Sequence, residues 1–312
     1  MSIARLLNIK YPIFQGGMAQ IALAELAAAV SNAGGLGIIA AGGFSADRLR
    51  EEIRKCKTLT DKPFGVNIML MAPNREELAD VIVEEGVKVV TTGAGSPAPF
   101  MKKWKEAGIK VIPVVPSVKL AKKVEQLGVD AVIAEGTESG GHVGETTTMA
   151  LVPQVVDAVS IPVIAAGGIG DGRGVAAAFA LGAQGVQVGT RFLATEECPT
   201  HENFKKAVVN ASDEDTLVTG RSIGGPVRSI KNKMTLKYLE LESRKASRDE
   251  LEELALGSLR KAVLDGDTEN GSVMAGQICG LITEITTVEK VITSMFEEAK
   301  EVCKNLNVGS LV

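Results

Sequence analysis

One histidine of this chain lies where an imidazole could act as an acid, a base or a hydrogen-bond donor. His142 is one of only two histidines in 312 residues, and Gly140, Gly141 and Gly144 flank it. An imidazole changes charge near neutral pH, which suits it to general acid–base catalysis. A lone histidine is more often structural, but this glycine-rich setting favours a functional one. We therefore predict His142 as the catalytic residue.

Two glycine-rich segments have the composition of a phosphate site. They cover residues 164–174 and 186–192, and Gly167 lies 22 residues before Gly189. Glycine allows a backbone N–H group to approach a ligand closely, and the N-terminus of a following helix attracts an anion. Two such loops together predict a phosphate site that includes Gly167, Gly168 and Gly189.

Other residues at predicted strand ends favour a flat ligand attached to that phosphate. Gly17 offers bare backbone and Met18 a soft side chain for a ring, while the amide of Asn67 both donates and accepts hydrogen bonds. A sugar-phosphate site would instead carry a lysine or a pair of carboxylates at these strand ends. The set favours flavin mononucleotide (FMN). A flavin-free, phosphate-binding aldolase or isomerase barrel stays open as an alternative.

These residues fall at the ends of eight predicted strands, which alternate with helical segments. At five junctions a glycine follows the helix, as expected for a residue that ends a helix in the left-handed conformation: Gly34, Gly86, Gly108, Gly128 and Gly182. The strands are predicted at 12–18, 36–41, 64–69, 88–92, 111–115, 131–135, 163–166 and 185–189. Eight parallel strands with crossover helices predict an α/β fold, the (β/α)8 TIM barrel, with its site at the carboxyl ends. An open doubly wound sheet is the alternative.

The valine- and isoleucine-rich pattern gives way to charged helical segments over residues 196–283. We expect a small, mainly helical inserted domain there, on the substrate and NAD(P)H side, and a barrel formed by residues 1–195 plus 284–312. The segment 288–306 carries an apolar stripe and is predicted to return to the barrel as a helix. His201 is expected to be an exposed residue at a helix start.

Five basic residues and no acidic one lie within 221–237. This stretch is either a solvated helix face or a dock for an anionic group such as a dinucleotide phosphate, a phosphopantetheine arm or an acidic carrier protein.

Composition excludes several other classes of protein. The 34 basic and 38 acidic residues give a net charge of −4, which does not suit nucleic-acid binding. Four cysteines without a CxxC pair indicate free thiols in a reducing compartment, so we expect a cytoplasmic protein. No apolar run is long enough for a membrane span, and no metal-ligand spacing or Gly-x-Ser-x-Gly motif occurs.

With these motifs assembled, the sequence resembles the nitronate monooxygenase-like FMN barrels. Within them it is most similar to the FMN-dependent enoyl-acyl carrier protein reductases (type II, FabK type). The segments that carry the resemblance are 12–18, 65–69, 135–144, 164–169, 185–192 and 274–277. The Glu-Ser-Gly-Gly-His motif at 138–142 is shared with nitronate monooxygenases, whereas Met-Ala-Gly-Gln at 274–277 looks more like the reductase branch.

The resemblance implies an activity and a set of site residues. NADH or NADPH would reduce the flavin, and a trans-2-enoyl thioester on acyl carrier protein would then be reduced, as in bacterial fatty acid biosynthesis. His142 would face the acyl group as proton donor or oxyanion stabiliser. The resemblance also implies a homodimer. The alternative activity is oxidation of alkyl nitronates. The implied cofactor-binding residues are Gly16, Gly17, Met18, Asn67, Glu135, Gly140, Gly141, Ala166, Gly167, Gly168, Gln187, Gly189, Thr190, Met274, Gly276 and Gln277.

Overall fold

All eight predicted strands are present in a computed structural model that describes residues 2–306. In chain order the strands are β1 (Ile13–Gln15), β2 (Gly37–Ala40), β3 (Phe64–Met69), β4 (Val89–Gly93), β5 (Lys110–Val115), β6 (Val132–Glu135), β7 (Gly141–His142), β8 (Val163–Ala166), β9 (Gly185–Val188), β10 (Thr216–Thr219) and β11 (Val227–Ile230). The eight predicted strands are all of these except β7, β10 and β11. They form one parallel sheet in the order β1-β9-β8-β6-β5-β4-β3-β2. A parallel bridge between Phe14 and Leu36 joins β1 to β2. The sheet therefore closes, which confirms the (β/α)8 TIM barrel over the open sheet.

Helices connect the strands and cover the barrel. They are α1 (Ile3–Leu7), α2 (Ala24–Asn32), α3 (Ala46–Leu59), α4 (Arg75–Glu84), α5 (Ala98–Glu106), α6 (Val118–Glu125), α7 (Thr148–Ala158), α8 (Gly172–Ala180), α9 (Thr190–Leu193), α10 (Glu202–Val209), α11 (Lys233–Ser243), α12 (Arg248–Ala255), α13 (Ser258–Arg260) and α14 (Val288–Asn305). The α14 helix packs against α8 and α2. Residues 307–312 of the predicted barrel segment lie outside the described residues.

The five glycines predicted to end helices all adopt the left-handed conformation. Their φ angles lie between 64° at Gly86 and 94° at Gly34 and Gly182. A residue with a Cβ atom would be strained at these positions. The glycine spacing that indicated the barrel period therefore has a conformational cause.

Alternate residues of each barrel strand pack on opposite sides of the sheet. Outward residues such as Ile39 and Val90 pack under the helices. Inward residues form a separate apolar core that includes Phe14, Ile38 and Ile112, and α1 packs against this core. The inward positions above this core reach the carboxyl ends of the strands, where the site was expected.

The segment 196–283 contains α10 to α13, as its charged helical pattern predicted, and also two strands that the pattern did not predict. The β10 and β11 strands pair antiparallel, and β11 pairs with β7, which contains His142. They were missed because each is only four residues long and lies among charged helical segments, and because Arg228 and Ser229 interrupt the apolar pattern of β11. The inserted segment is therefore hydrogen-bonded directly to the predicted catalytic loop.

Candidate active site

The inward positions nearest the barrel mouth are polar or small. Asn67 on β3 lies in register with Ala40 and Thr91. On the other side of the barrel, Ala166 on β8 lies in register with Glu135 and with Gln187. Because residues in register on parallel strands point to the same side, these side chains share the upper layer of the barrel interior. The barrel thus offers a floor with hydrogen-bonding groups and little bulk.

The end of β1 presents bare backbone against that layer. A Cβ atom on Gly17 would lie 2.5 Å from the Cβ of Asn67, so no side chain fits there. A Cβ atom on Gly16 would lie 3.5 Å from the side chain of Gln187. The Sδ atom of Met18 lies 3.6 Å from the point where a side chain on Gly189 would begin. The three predicted residues of this strand end therefore meet the predicted residues of β3 and β9.

Free backbone donors lie at the ends of β8 and β9, which are adjacent strands. Within residues 2–306, the N–H groups of Gly167, Gly168 and Gly189 donate no hydrogen bond. Gly167 and Gly168 adopt φ angles of 91° and 70°, so the turn after β8 requires glycine. Neighbouring N–H groups of this kind are ready-made donors for a phosphate. The predicted phosphate loops do meet at one rim.

The N-terminus of α8, the helix that follows β8, is already capped by carboxylates of the chain. The carboxylate of Asp171 already accepts hydrogen bonds from the N–H groups of Arg173 and Gly174, at 3.0 and 3.1 Å. Glu298 accepts from Gly172 N–H at 2.7 Å. Carboxylates of the chain itself therefore satisfy the first turn of α8, so at the end of β8 a phosphate would meet the loop donors and not this helix.

Glu138 connects the loop that carries His142, residues 136–147 (the histidine loop), to the turn after β8. The sequence did not reveal this role. Its carboxylate oxygens accept from Thr148 N–H at 3.0 and 2.9 Å, at the start of α7. The Thr148 hydroxyl lies 2.8 Å from the same carboxylate and 2.9 Å from the Gly167 carbonyl oxygen. The loop from β6 to α7 and the turn after β8 are thus fixed to each other.

The segment around Met274 returns to the same rim from far along the chain. Gly276 N–H donates to Thr190 Oγ1 at 2.8 Å, and Gln277 N–H donates to the Glu138 carbonyl oxygen at 2.9 Å. A Cβ atom on Gly140 would lie 2.6 Å from the backbone of Ala275. The structure therefore brings the predicted residues at 274–277 against both the histidine loop and the end of β9.

His142 lies at the outer edge of this rim, on β7. Its side chain is exposed, and its backbone is in register with Val227 of the inserted segment. The next residue, Val143, donates its N–H to the Pro226 carbonyl oxygen at 3.1 Å. The imidazole is thus carried on a strand that the insertion holds. By contrast, His201 is an exposed N-cap residue of α10, which confirms the expectation of a helix-start position.

Glu135 is the one carboxylate in the upper barrel layer described above. Burial raises the pKa of this side chain to about 7, and the nearby Ser139 hydroxyl opposes the shift. The Ser139 hydroxyl oxygen is itself buried and has no hydrogen-bond partner among the described residues. A carboxyl group with a pKa near neutrality can donate or accept a hydrogen bond at pH 7. This pair is suited to a polyhydroxylated ligand chain.

We expect Glu135→Gln to remove a pH dependence of stability from the cofactor-free protein. Below about pH 4.5 the carboxyl group is neutral in both the folded and the unfolded protein, and it then resembles the amide of the variant. The pKa of Glu135 in the folded protein is raised from 4.5 to about 7, so the wild type loses stability as pH rises through this range and the carboxyl ionises more readily in the unfolded chain. The variant should therefore be more stable by about 1–3 kcal/mol at pH 8 and similar at pH 4.5. Denaturant unfolding at both pH values measures this. Glu145→Gln, an exposed residue of the same loop, is the control, and an equal pH response in both variants would contradict the assignment.

The basic segment 221–237 is mostly paired or buried. Arg228 lies in β11 with its side chain buried. Lys231 contacts the Glu214 carbonyl oxygen, while Lys233 and Lys237 pair with Glu269 and Glu240. Arg221 pairs with Glu145, three residues after His142. The interpretation as one open anion dock is therefore wrong for most of the segment.

Fold and site together define an enzyme-like barrel of the (β/α)8 class, with bare backbone at three strand ends and one histidine on a strand that pairs with the inserted segment. Among residues 2–306 no group of three or more His, Cys, Asp or Glu side chains could hold a metal ion. No helix in that range is long and apolar enough to cross a membrane.

A family model described as nitronate monooxygenase matches residues 2–298. The chain belongs to the nitronate monooxygenase family, a family of oxidoreductases.

Three comparisons with known proteins cover nearly the whole chain. The structure of FabK from Thermotoga maritima matches with a TM-score of 0.96 and 51% identity, over 98% of each chain. A (3aS,4S,5R,7aS)-5-hydroxy-7a-methyl-1-oxo-octahydro-1H-indene-4-carboxyl-CoA dehydrogenase of Rhodococcus jostii is 35% identical over 96% of this chain and 95% of its own. A probable nitronate monooxygenase of Staphylococcus saprophyticus is 36% identical over 96% and 98%.

Proposed function

We propose that this protein is an FMN-dependent enoyl-acyl carrier protein reductase that uses NADH or NADPH. The observation that carries the proposal is the likeness to FabK, 51% identity over 98% of the chain, which includes the inserted segment beside His142. The thioester in the name of the Rhodococcus relative agrees with a substrate of this class. The partners would be an acyl carrier protein that carries the enoyl group and a nicotinamide dinucleotide, and the protein would act in the cytoplasm as a homodimer.

The residues present fit FMN. Three free N–H groups at Gly167, Gly168 and Gly189 suit its phosphate. Gly17 has no room for a side chain against Asn67, so bare backbone faces the mouth there. The buried Ser139 hydroxyl has no hydrogen-bond partner among the described residues and lies close to Glu135, on the side expected for the ribityl hydroxyls. When bound, FMN would supply the relay that carries a hydride equivalent from NAD(P)H to the β-carbon of the enoyl thioester.

His142 would act on the substrate and not on the cofactor. Its exposed imidazole can donate a hydrogen bond or a proton through a ring N–H group toward the thioester carbonyl oxygen. Hydride addition at the β-carbon places negative charge on that oxygen, and a positioned donor stabilises the charge. A proton at the α-carbon completes the saturated thioester. The Glu138 and Thr148 contacts keep the histidine loop in place while the substrate binds.

An anaerobic visible spectrum of the purified protein tests the proposal. A yellow protein should bleach when NADH is added and recover its flavin absorbance when crotonyl thioester follows. Oxygen uptake with an alkyl nitronate, together with no reduction of the thioester, would favour the nitronate monooxygenase activity of the family instead. A protein that stays colourless after FMN is added would contradict both activities and favour the flavin-free barrel.

A further inference from the structure

A buried arginine of the inserted segment holds the histidine loop. The side chain of Arg228 on β11 is 7% exposed. Its Nε and Nη2 groups donate to the Thr137 carbonyl oxygen at 3.3 and 3.2 Å, and its Nη1 group donates to Thr216 Oγ1 at 3.1 Å. Among residues 2–306 no carboxylate lies within ion-pair distance of this guanidinium. The proposed chemistry of the site gives this residue no role of its own.

We propose that Arg228 is a positioning residue for His142, which deepens the reductase function proposed above and rests on it. The backbone of Arg228 is in register with Gly141, one residue from His142. Its side chain donates to the carbonyl oxygen of Thr137, in the part of the same loop that precedes β7. These two parts of the loop, before β7 and from β7 onward, are its two arms. Thr137 N–H in turn donates to the Thr146 carbonyl oxygen at 2.9 Å, which joins the two arms. One residue therefore fixes both arms from the insertion.

The loop has two anchors, and they face different parts of the site. Glu138 fixes the loop to Thr148 and, through it, to the turn at Gly167, which is the cofactor side. Arg228 fixes the loop to β10 and β11, which is the side that carries His142. Because the N–H groups that suit the phosphate do not touch Arg228, loss of the guanidinium should disturb the histidine and spare cofactor binding.

Burial explains why an arginine suits this position. Burial lowers the pKa of Arg228, with a further lowering from Arg221 and an opposing effect of Glu138. A buried charged group is tolerated only where hydrogen bonds satisfy it. The planar guanidinium donates from two groups to Thr137 and from a third to Thr216 in one fixed fork, a geometry that the compact ammonium of a lysine does not have. The arrangement fixes the distance between the loop and the inserted strands.

The test compares Arg228→Met with Lys231→Met, which removes a positive charge from an exposed residue next to β11. In the holoenzyme, we expect Arg228→Met to slow reoxidation of the reduced flavin by crotonyl-CoA at least about tenfold, as for a misplaced catalytic group. FMN content and the rate of flavin reduction by NADH should stay within about twofold of the wild type. Lys231→Met should match the wild type in all three. Equal rates in the two variants would overturn the proposal.

A double-mutant cycle separates positioning from a general structural role. If Arg228 acts through His142, Arg228→Met should slow the His142→Ala variant by no more than about twofold, because the effects of coupled residues do not add. A further tenfold loss in the double variant would overturn the proposal. Should Arg228→Met fail to fold, Arg228→Lys should show a smaller loss with the same non-additivity, and an undiminished rate in that variant would count against positioning.

Amide hydrogen exchange tests the same contact without catalysis. The peptide that covers residues 137–146 should exchange at least about tenfold faster in Arg228→Met than in Lys231→Met, because the loop loses its outer anchor. Peptides from the turn at 166–169 should exchange as in the wild type. Unchanged exchange at 137–146 would refute the anchor even if the protein proves to lack reductase activity. Failure of the wild type to reduce crotonyl-CoA, with faster exchange in the variant, would instead refute only the reductase assignment.

Discussion

Replacing His142 with Ala should lower the rate of enoyl-thioester reduction at least about tenfold while the protein keeps its FMN. The side chain is exposed and makes no hydrogen bond with the described residues, so its loss leaves the β7 pairing with Val227 intact. The free N–H groups that suit the phosphate lie on the other strand ends, at Gly167 and Gly189. Catalysis and cofactor retention should therefore separate in this variant.

Stopped-flow absorbance measures the two halves of the reaction in turn. Flavin reduction by NADH should be nearly normal in His142→Ala, and reoxidation by crotonyl-CoA should be slow. His142→Gln keeps an N–H donor but no acid, so a rate close to the wild type would assign His142 to oxyanion stabilisation, and a rate as low as that of Ala would assign it to proton transfer.

The other histidine of the chain provides the matched control. His201 caps α10, where its Nδ1 accepts from Asn203 N–H at 3.1 Å. His201→Ala should cost about 1 kcal/mol of stability, as for the loss of an N-cap, and leave both half-reactions unchanged. Normal turnover in His142→Ala would remove that residue from the mechanism.

The barrel was predictable because each of its units repeats one local signal. A strand buried on both sides needs an uninterrupted apolar run, and a glycine in the left-handed conformation ends the preceding helix. The strands β3 and β8 match their predicted bounds, 64–69 and 163–166, without a shift. The predicted ends of β8 and β9 then indicated which glycines could donate to a phosphate, because the residues at the carboxyl end of a barrel strand are the ones that reach the site.

The residues that the sequence did not reveal act through contacts between distant parts of the chain. Arg228 appears among basic residues and was interpreted as part of a surface patch, yet it contacts Thr137, 91 residues earlier. In the sequence Glu138 appeared only as part of the Glu-Ser-Gly-Gly-His motif, whereas its hydrogen-bond partner Thr148 lies ten residues later, at the start of α7. Neither contact follows from periodicity. The capping of α8 by Glu298 was hidden for the same reason, since the two residues that meet are 126 apart in the sequence.

Replacing Gly167 with Val should strongly weaken FMN retention. The residue has a φ angle of 91°, and a Cβ atom there would lie 2.8 Å from the Gly136 carbonyl oxygen and 3.1 Å from Thr148 Oγ1. The turn after β8 must therefore shift, and the free N–H groups of Gly167 and Gly168 shift with it. Loss of aligned donors to a phosphate costs roughly 1.5–3 kcal/mol for each charged hydrogen bond, so we expect affinity to fall at least about tenfold.

Gly128→Val is the matched control, because it imposes the same backbone strain without the clash. Gly128 has a φ angle of 79°, and no atom lies within 4 Å of the point where its side chain would begin. It follows α6 and precedes β6, on the side of the amino ends of the strands. Both variants should lose stability through the left-handed valine, by about 1–2 kcal/mol. Only Gly167→Val should emerge from purification with less flavin, measured as the ratio of visible to protein absorbance and by titration with FMN. A normally flavinated Gly167→Val protein would refute the phosphate site at the ends of β8 and β9, and an equal loss in both variants would attribute the effect to strain alone.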